Sequence, residues 1–367
     1  MTQYPSNFCV RPFTELMLDV NGTIAPCCVL MGKEYSDLNS YLNSDYLSSL
    51  KKELWDNERT SKCDTCWHKE DKGLWSNREK VPLRSTSDDV ANSIIKDVHI
   101  KFSNKCNLKC RMCSEYFSSA WGEEKGLTNP VTTLFDDKKL KKQFYDLLPS
   151  LGSVTMSGGE PFLSDDHLDF LKVASQVNPK LNLVYNSNMT VLRYKGVYFP
   201  DLWDKFNCVT VIASVDGFGD ANSYQRYGFN WDKIANNILT AKKYIGHVHA
   251  TVTIYTIFSL HLLIKWCINN DIPFSLYGVH QDRLNPAVLP HSEKQKVLEN
   301  FKNLELPTEE AQENVVNFLK SFLRPLGTPS LHKRFKKDTI MIDKKRNQSF
   351  IEVVPELKDW YLSIKGE

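Results

Sequence analysis

Six short apolar segments recur through the middle of the chain, separated by segments with the spacing of amphipathic helices. The predicted strands are residues 98–102, 153–156, 181–186, 209–215, 249–254 and 274–277. The predicted helices are residues 138–148, 167–176, 231–244 and 260–270. Strands that alternate with helices in this way pair in parallel through right-handed crossovers. The pattern predicts an α/β fold, either an open doubly wound sheet or a partial barrel, since six units are fewer than the eight of a full barrel.

The first 90 residues have a different pattern. Residues 17–24 alternate and turn at Asn21-Gly22, which is a strong hairpin signal, and residues 44–55 have the spacing of an amphipathic helix. A polar stretch, residues 85–92, is a candidate linker, and the proline-containing tail predicts two or three further helices. We therefore expect a small N-terminal module at 1–90, an α/β core at 91–285 and a helical C-terminal extension at 286–367.

Composition and charge are those of an ordinary globular protein. Hydrophobic residues make up 41% of the 367 residues and charged residues 25%, and the formal charge is only +2. Bulk electrostatics therefore gives no reason to expect nucleic acid or a membrane surface as a partner. The first residues lack the pattern of a secretory signal, and no apolar run approaches the roughly 18–20 residues of a membrane span. We expect a cytoplasmic protein with reduced thiols.

Three of the ten cysteines follow the first predicted core strand with the spacing C-x3-C-x2-C: Cys106, Cys110 and Cys113. Three thiolates can each bind one corner of a [4Fe–4S] cube and leave the fourth iron open for a substrate or cofactor. A structural zinc site is the alternative, but such sites are usually closed by four ligands. The spacing favours an iron–sulfur cluster.

A second motif follows the next predicted strand and consists of Gly158, Gly159, Glu160 and Pro161. Glycines allow a backbone to approach a ligand closely, and Glu160 supplies a carboxylate for an ammonium group. With the three-cysteine loop one strand earlier, the chain resembles the radical S-adenosylmethionine (SAM) enzymes over about residues 96–285. The resemblance implies a partial (β/α)6 barrel whose three cysteines hold a [4Fe–4S] cluster. It also implies that SAM chelates the open iron and that the glycine-rich segment binds the SAM amino group.

The same resemblance implies further SAM contacts at later strand ends. Met112 stands before the third cysteine, where the family often has an aromatic residue near adenine. Asn188 occupies the place of the family's Thr-Asn-Gly segment, with methionine in place of its glycine. Ser214 and Asp216 match a Ser-x-Asp-Gly segment near ribose and methionine, and Arg226 follows. An ordinary strand-end turn is the alternative for each of these polar positions.

Four N-terminal cysteines form a second group: Cys9, Cys27, Cys63 and Cys66. Four thiolates close a site completely, which suits structural zinc or an auxiliary iron–sulfur cluster. The spacing C-x12-G-x4-C followed by C-x2-C resembles the Twitch module, a shorter relative of the SPASM domain, and so implies an auxiliary [4Fe–4S] cluster. In that family the module usually follows the barrel, whereas here it precedes it. We expect Cys208 and Cys267 to be packed side chains. Cys28 is a surplus thiol for which we also favour a packed side chain, with a spare thiol or a substitute ligand as the alternatives.

The implied reaction is reductive cleavage of SAM to a 5′-deoxyadenosyl radical that abstracts hydrogen from a substrate. Relatives with SPASM or Twitch modules imply a peptide or protein side chain as substrate and an external electron donor of flavodoxin or ferredoxin type. Dehydrogenation or epimerisation of a small molecule is the alternative. A non-catalytic iron–sulfur or zinc scaffold and a nucleic-acid-modifying enzyme are further possibilities. No catalytic acid or base is assigned by the sequence.

Overall fold

The computed structural model describes residues 4–30, 32–73, 75–79, 85–302, 304–324 and 327–365. The predicted N-terminal and C-terminal regions each include a few residues outside these ranges. The chain forms two compact units. The first comprises Met1–Cys106, Glu115–Ser187 and Leu192–Thr210, and the second Asn107–Ser114, Asn188–Val191 and Val211–Glu367. The predicted boundaries near residues 90 and 285 stay predictions.

Five strands form the sheet of the first unit. In chain order they are β1 (Glu15–Leu18), β2 (Ile24–Ala25), β3 (Asp97–Ile100), β4 (Ser153–Met156) and β5 (Asn182–Ser187). The spatial order is β2-β1-β3-β4-β5, and every pair except β1 with β2 is parallel. Buried apolar side chains alternate with polar ones along β3, so one face of the strand joins the core and the other remains available for chemistry.

Three parallel strands continue the α/β pattern in the rest of the chain: β6 (Cys208–Ser214), β7 (Ile245–Val252) and β8 (Phe274–Gly278). The chain passes from the first unit to the second within β6, after Thr210. All six predicted core strands are present. Their observed ends differ from the predicted ones by up to four residues, the largest difference being the start of β7. The prediction of a mixed α/β fold with a many-stranded parallel sheet, the class of a partial (β/α)6 barrel, is confirmed.

Helices connect these strands and form the C-terminal extension. The described α-helices are Arg11–Thr14, Leu38–Leu42, Asp45–Trp55, Asp64–Glu70, Ser87–Ala91, Ser119–Glu124, Lys138–Leu147, Asp165–Val177, Phe199–Trp203, Gly219–Gln225, Trp231–Thr240, Leu260–Asn269, His291–Lys302, Glu309–Leu323, Pro329–Arg346, Phe350–Val353 and Lys358–Ser363. Short 3-10 helices lie at Ser61–Cys63, Leu134–Asp136, Leu148–Ser150, Pro161–Leu163, Lys242–Tyr244, Asp282–Leu284, Pro286–Val288 and Pro355–Leu357. Two-residue strands pair Lys109–Cys110 with Arg226–Tyr227 and Arg193–Tyr194 with Val197–Tyr198. No helix among the described residues is both long and apolar enough to cross a membrane.

Local capping explains why several predicted helices begin where they do. The Asp137 carboxylate accepts hydrogen bonds from the backbone N–H groups of Lys139 and Leu140, and Ser164 caps the helix before β5 in the same way. The polar stretch predicted as a linker contains the helix Ser87–Ala91, whose Val90 packs with apolar side chains near the N-terminus. The tail contains more helices than the two or three predicted.

The hairpin predicted at Asn21-Gly22 is confirmed by the antiparallel pairing of β1 with β2, and Gly22 has φ +82°. The hydrophobic pattern does not indicate where this hairpin lies. Because Leu18 pairs in parallel with Ile100, the N-terminal hairpin extends the sheet of the first unit next to β3. The carboxyl end of β1 therefore lies beside the carboxyl end of the strand that leads into the three-cysteine loop.

Candidate active site

The first cysteine of the loop, Cys106, lies in the first unit and is held by hydrogen bonds around its backbone. Its N–H donates to Ser119 Oγ at 3.2 Å. Two residues earlier, the buried side chain of Asn104 donates to the Pro130 carbonyl at 2.9 Å and accepts from the Thr132 N–H at 2.8 Å. These contacts fix the path of the backbone into Cys106.

The glycine-rich segment packs directly against this loop. The Gly159 N–H donates to the Ser103 carbonyl at 3.0 Å, and the Glu160 N–H donates to the Lys105 carbonyl at 2.8 Å. A Cβ atom at Gly159 would lie 2.3 Å from that Lys105 oxygen, so no other residue fits there without a shift of the backbone. Gly158 has φ +112°, which also favours glycine. The two glycines thus bring the predicted amino-binding segment against the residues that precede Cys106.

Glu160 is buried, with 2% of its surface exposed. Its carboxylate accepts hydrogen bonds from Ser187 Oγ at 2.9 Å and from the Phe162 N–H at 3.2 Å. Pro161 begins the 3-10 helix that follows and fixes its first turn. A buried carboxylate held in one orientation by a hydroxyl and a backbone donor fits an ammonium group. Ser187, at the end of β5, is a contributor that the motif does not identify.

The other two cysteines of the loop belong to the second unit. Lys109–Cys110 pairs antiparallel with Arg226–Tyr227, which places Arg226 opposite Cys110. The Nη1 atom of Arg226 lies 3.9 Å from Cys110 Sγ, and the guanidinium forms a buried ion pair with Asp216 at 2.7 Å. The structure therefore brings Asp216, Arg226 and Cys110 together.

The electrostatics of this group suit an anionic sulfur cluster. Burial disfavours the Arg226 cation, but Asp216, Cys110 and Cys113 together outweigh this effect, and the pKa of Arg226 is raised. Asp216 also accepts hydrogen bonds from Gln225 Nε2 and the Thr251 N–H. A fixed positive charge beside two thiols stabilises their thiolate forms, which are the forms that bind iron.

The remaining predicted SAM residues take different positions in the second unit. The Met112 carbonyl accepts a hydrogen bond from Gln281 Nε2 at 2.8 Å. The Asn188 side chain donates to Asn107 Oδ1 at 3.1 Å and accepts from the Thr190 N–H, so it supports the cysteine loop. Ser214 ends β6, opposite His249 in register. Their roles as SAM contacts stay predictions.

Met189 has φ +57°, the left-handed conformation that favours glycine, although its side chain is fully buried. This is the position at which the resembling family has glycine. Met189 thus adopts a backbone conformation that glycine also adopts readily, and its side chain is packed.

Arg111, between Cys110 and Met112, anchors the loop to the C-terminal helix Pro329–Arg346. Its guanidinium contacts Asp343 Oδ1 at 2.5 Å and lies 3.6 Å from the centre of the Tyr224 ring. Its side chain is completely buried. Nothing in the motif spacing singles out this arginine, because its partner lies more than 200 positions away in the sequence.

The four N-terminal cysteines converge in the first unit. Burial raises the pKa of both Cys9 and Cys63 to about 12, and the thiols of Cys27, Cys63 and Cys66 contribute to these shifts. Cys9 and Cys63 also pack around the same small apolar cluster. The structure thus brings together thiols from three separate chain segments: the N-terminal loop, the residues after β2 and the Ser61–Glu70 helical region.

Burial favours the neutral thiols of this N-terminal cysteine group, whereas a metal centre binds thiolates. Burial raises the pKa of Cys27 to about 11, while the N–H groups of Val29 and Leu30 lower it by hydrogen bonding to sulfur. The Arg11 N–H likewise lowers the pKa of Cys9 by hydrogen bonding to its sulfur. Within the described parts of the chain, no group of three or more His, Cys, Asp or Glu side chains meets the geometry for one metal ion. In a [4Fe–4S] cluster, each thiolate binds a different iron.

Arg78 connects two of the segments that carry these thiols. Its Nη1 atom donates to the carbonyls of Ser6 and Phe8, and its Nε atom donates to Glu70 at 3.0 Å. The guanidinium also lies over the Trp67 ring. Because Trp67 and Glu70 belong to the helix that carries Cys66, Arg78 joins this helix to the residues that precede Cys9.

Two expectations about the other cysteines were wrong. Cys208 is exposed because it begins β6, ahead of that strand's buried positions, and Cys28 is exposed rather than packed. Cys267 is buried, as predicted, and burial raises its pKa to about 12.

Sequence reasoning also missed a polar row along β3 and its neighbours. His99 Nε2 lies 2.7 Å from Ser157 Oγ, and Lys101 Nζ contacts Asp19 Oδ2 at 2.6 Å. The available signal was the alternation of Asp97, His99 and Lys101 with apolar residues, which indicates a polar face on a strand of a parallel sheet.

A family comparison identifies the α/β core. Residues 100–259 match the model of the Radical SAM superfamily. The chain contains a radical SAM domain. The matched segment includes the three-cysteine loop, the glycine-rich segment, Asp216 and Arg226, whereas the four N-terminal cysteines lie outside it.

Three solved structures of Streptococcus suis SuiB resemble this chain. The structure with bound S-adenosylmethionine has 16% identity and a TM-score of 0.38, and the match covers 72% of this chain and 59% of SuiB. The structure with the precursor peptide SuiA has 16% identity and a TM-score of 0.39, with coverages of 71% and 59%. A third SuiB structure has 13% identity and a TM-score of 0.39, and the match covers 82% of this chain and 68% of SuiB.

This chain thus spans about 59% of the length of the first two SuiB structures. A search of curated proteins gives no significant match.

Proposed function

We propose that this chain is a radical SAM enzyme that modifies a peptide or protein side chain. Cys106, Cys110 and Cys113 would hold a [4Fe–4S] cluster, with SAM at its open iron. The observation that carries the proposal is the radical SAM domain at residues 100–259, which contains both motifs intact. The cluster and SAM together would supply a carbon radical that abstracts hydrogen from the substrate.

The residues of the chain would bind and orient these groups. Glu160, held by Ser187 and the Phe162 N–H, would accept the SAM ammonium group in a site where water is excluded. Gly158 and Gly159 would keep this carboxylate next to the backbone that leads to Cys106. The remaining SAM contacts would come from Met112, Asn188, Ser214 and Asp216.

Arg226 would act on the cluster thiolates themselves. Its guanidinium is fixed by the buried pair with Asp216 and faces the thiols of Cys110 and Cys113. A hydrogen bond or a positive charge at a ligand sulfur favours the more negative, reduced cluster. Arg226 would therefore make reduction of the cluster easier for an external donor of flavodoxin or ferredoxin type.

The four N-terminal cysteines would hold an auxiliary [4Fe–4S] cluster of the Twitch type. The convergence of Cys9, Cys27, Cys63 and Cys66 in a buried region supports a metal centre there. Structural zinc is the competing occupant, since four thiolates suit it equally well. The Twitch resemblance favours the cluster and, with it, a peptide or protein substrate over a small molecule.

Anaerobic reconstitution tests the reaction. Purified protein loaded with iron and sulfide and treated with dithionite and SAM is expected to form 5′-deoxyadenosine, and a Cys106→Ala/Cys110→Ala/Cys113→Ala variant is not. Absence of 5′-deoxyadenosine from fully loaded wild-type protein would refute the enzyme proposal and favour a scaffold.

The same triple variant tests the auxiliary site by metal analysis. About four retained irons with broad absorbance near 400 nm support a second cluster, since a [4Fe–4S] cluster contains four irons. Retained zinc without iron would reject that cluster. A Cys208→Ser variant is the matched control, because Cys208 is exposed and belongs to neither cysteine group.

A further inference from the structure

A cavity of about 330 Å³ lies in the first unit between the N-terminal hairpin and the residue that follows β3. Its polar wall includes Asp19, Lys101 and Tyr116, and its apolar wall includes Met17, Val29 and Leu30. Cys28, an exposed residue whose sulfur accepts a hydrogen bond from Asn77 Nδ2 at 3.5 Å, also lines it. This volume is at the lower end of the roughly 300–1,000 Å³ of small-ligand sites, enough for one or two residues of a peptide.

The cavity lies on the polar face of the sheet. Met17 pairs with His99 in the parallel register of β1 and β3, so Asp19 and Lys101, two residues further along, share that face. The charges of both groups act on His99: burial and, to a smaller extent, Lys101 lower its pKa to about 4, and Asp19 opposes the shift. Since ligands of parallel α/β folds bind at the carboxyl ends of strands, this cavity is where a substrate is expected.

Two proposed cofactor segments border the cavity within the first unit. On one side, a Cβ atom at Gly158 would lie 3.1 Å from Lys101 Cβ, so the amino-binding segment packs against the residue that lines the cavity. On the other side, Cys28 follows the proposed auxiliary ligand Cys27 directly and contributes to the raised pKa of Arg11, as do Cys9 and Cys27. The cavity therefore lies between the glycine-rich segment and the N-terminal cysteine group.

The charged groups of the cavity are already paired with one another. Lys101 Nζ contacts Asp19 Oδ2 at 2.6 Å, and Tyr116 Oη donates to Asp19 Oδ1 at 2.9 Å. The charges of this pair cancel, so the pair gives no net attraction to a charged ligand. The carboxylate can accept from an N–H group while the ammonium donates to a carbonyl. A peptide amide presents both groups, and the apolar wall suits a small aliphatic side chain.

We infer that this cavity is the substrate site and that it binds an uncharged backbone segment of a peptide. Asp19 and Lys101 contact the amide, and Met17, Val29 and Leu30 contact the adjoining side chain. This inference rests on the proposed function, because it names the substrate position for that reaction. The test of this inference does not require catalysis, because a peptide bound in the cavity would protect Cys28 from alkylation.

Alkylation of Cys28 measures that occupancy. Reconstituted protein is treated anaerobically with iodoacetamide, with and without an equimolar mixture of N-acetylated, C-amidated Gly-X-Gly tripeptides, and modification is followed by peptide mass spectrometry. At a peptide concentration about five times Kd, Cys28 alkylation should slow about sixfold. Cys208 is exposed and does not line the cavity, so its rate is the internal control and should not change.

Two shape-conserving variants make the test specific. Asp19→Asn and Lys101→Met should each reduce the protection of Cys28, while circular dichroism and the Cys208 rate report whether the fold is retained. Equal protection by free zwitterionic amino acids, protection that persists in both folded variants, or no protection of the wild type would overturn the inference. SAM cleavage is measured in the same samples without peptide, so a missing peptide site and a missing radical SAM reaction give different results.

Discussion

Arg111 and Asp343 form a buried ion pair with a distance of 2.5 Å between Nη2 and Oδ1. Arg111 follows the proposed cluster ligand Cys110, and Asp343 lies near the end of the helix Pro329–Arg346. Tyr224 Oη donates to the same carboxylate oxygen at 2.7 Å, and the Phe350 N–H donates to the other at 2.9 Å. The C-terminal extension is thereby part of the support of the cysteine loop.

Asp343→Ala should destabilise the protein strongly. It leaves the fully buried Arg111 guanidinium without its carboxylate, and loss of one partner of a buried pair costs about 3–5 kcal/mol. Urea unfolding monitored by circular dichroism measures this loss, and the iron content after reconstitution should fall with it.

Asp338→Ala is the matched control for this prediction, because Asp338 lies on the same helix. Its ion pair with Arg283 is partly exposed, with side-chain exposures of 28% and 22%. Loss of this ion pair should therefore lower the free energy of unfolding by about 1 kcal/mol or less. Equal losses for the two variants would contradict the role given to the Arg111 pair.

Arg226→Met should make the proposed radical SAM cluster harder to reduce. The variant removes a positive charge that lies 3.9 Å from Cys110 Sγ, so the midpoint potential should become more negative. A shift of about 59 mV corresponds to a tenfold change in a one-electron equilibrium. Redox titration followed by electron paramagnetic resonance measures it.

Arg226→Lys keeps the charge at this position and should recover part of that shift. An unchanged potential in Arg226→Met, in protein with full iron content, would show that the guanidinium does not act on the cluster.

Gly159→Ala should disturb the cysteine loop. The added Cβ atom would lie 2.3 Å from the Lys105 carbonyl oxygen, so the loop before Cys106 must move. We expect a lower Tm and lower iron retention. Gly152→Ala is the control, because its Cβ atom would have only an ordinary contact at 3.7 Å, with the Lys96 carbonyl. Loss of iron in both variants would argue against a specific role of Gly159.

Met189→Gly should destabilise the protein even though it removes backbone strain. The left-handed conformation, φ +57°, costs a non-glycine residue about 1–2 kcal/mol. Loss of a fully buried methionine side chain costs about 2–5 kcal/mol, so burial should outweigh the strain. Chemical denaturation measures which of the two effects is larger. A higher free energy of unfolding in the variant would show that the buried Met189 side chain contributes little to stability.

Because His99 is buried, the free energy of unfolding should fall in mild acid. Burial, with a smaller contribution from Lys101, lowers its pKa to about 4, below the usual 6.5. The unfolded chain therefore binds this proton at higher pH than the folded chain, so the contribution of His99 is lost as the pH falls from about 6.5 to 4. His99→Gln should flatten this part of the pH dependence of unfolding.

His167 and His249 also have pKa values lowered by burial, so wild type and the His99→Gln variant are compared at each pH. Identical pH profiles would show that His99 does not cause the acid sensitivity.

Local patterns in the sequence predicted many of the secondary-structure elements of the fold. The six core strands follow from short apolar runs, and the helix at Lys138–Leu147 begins where Asp137 can cap it. The Asn21-Gly22 turn predicted its hairpin because turn geometry depends on adjacent residues. The cysteine spacing likewise indicated the candidate cluster ligands, since C-x3-C-x2-C confines three thiols to one loop.

The exposed positions of Cys28 and Cys208 were not predictable in this way. Both stand near apolar residues in the sequence, but exposure depends on which distant segments cover a side chain. The parallel pairing of β1 with β3 is similarly non-local, because the two strands are separated by almost 80 residues.

By itself, the sequence determined the strand and helix pattern, the three-cysteine loop and the glycine-rich segment, because each depends on residues close together in the chain. Only the tertiary structure decided that Asp343 supports Arg111, that four distant N-terminal cysteines converge, and that Asp19 meets Lys101 beside a cavity. Those relationships depend on packing between segments that are far apart in the chain. Local residue spacing does not determine the register or the burial of such segments.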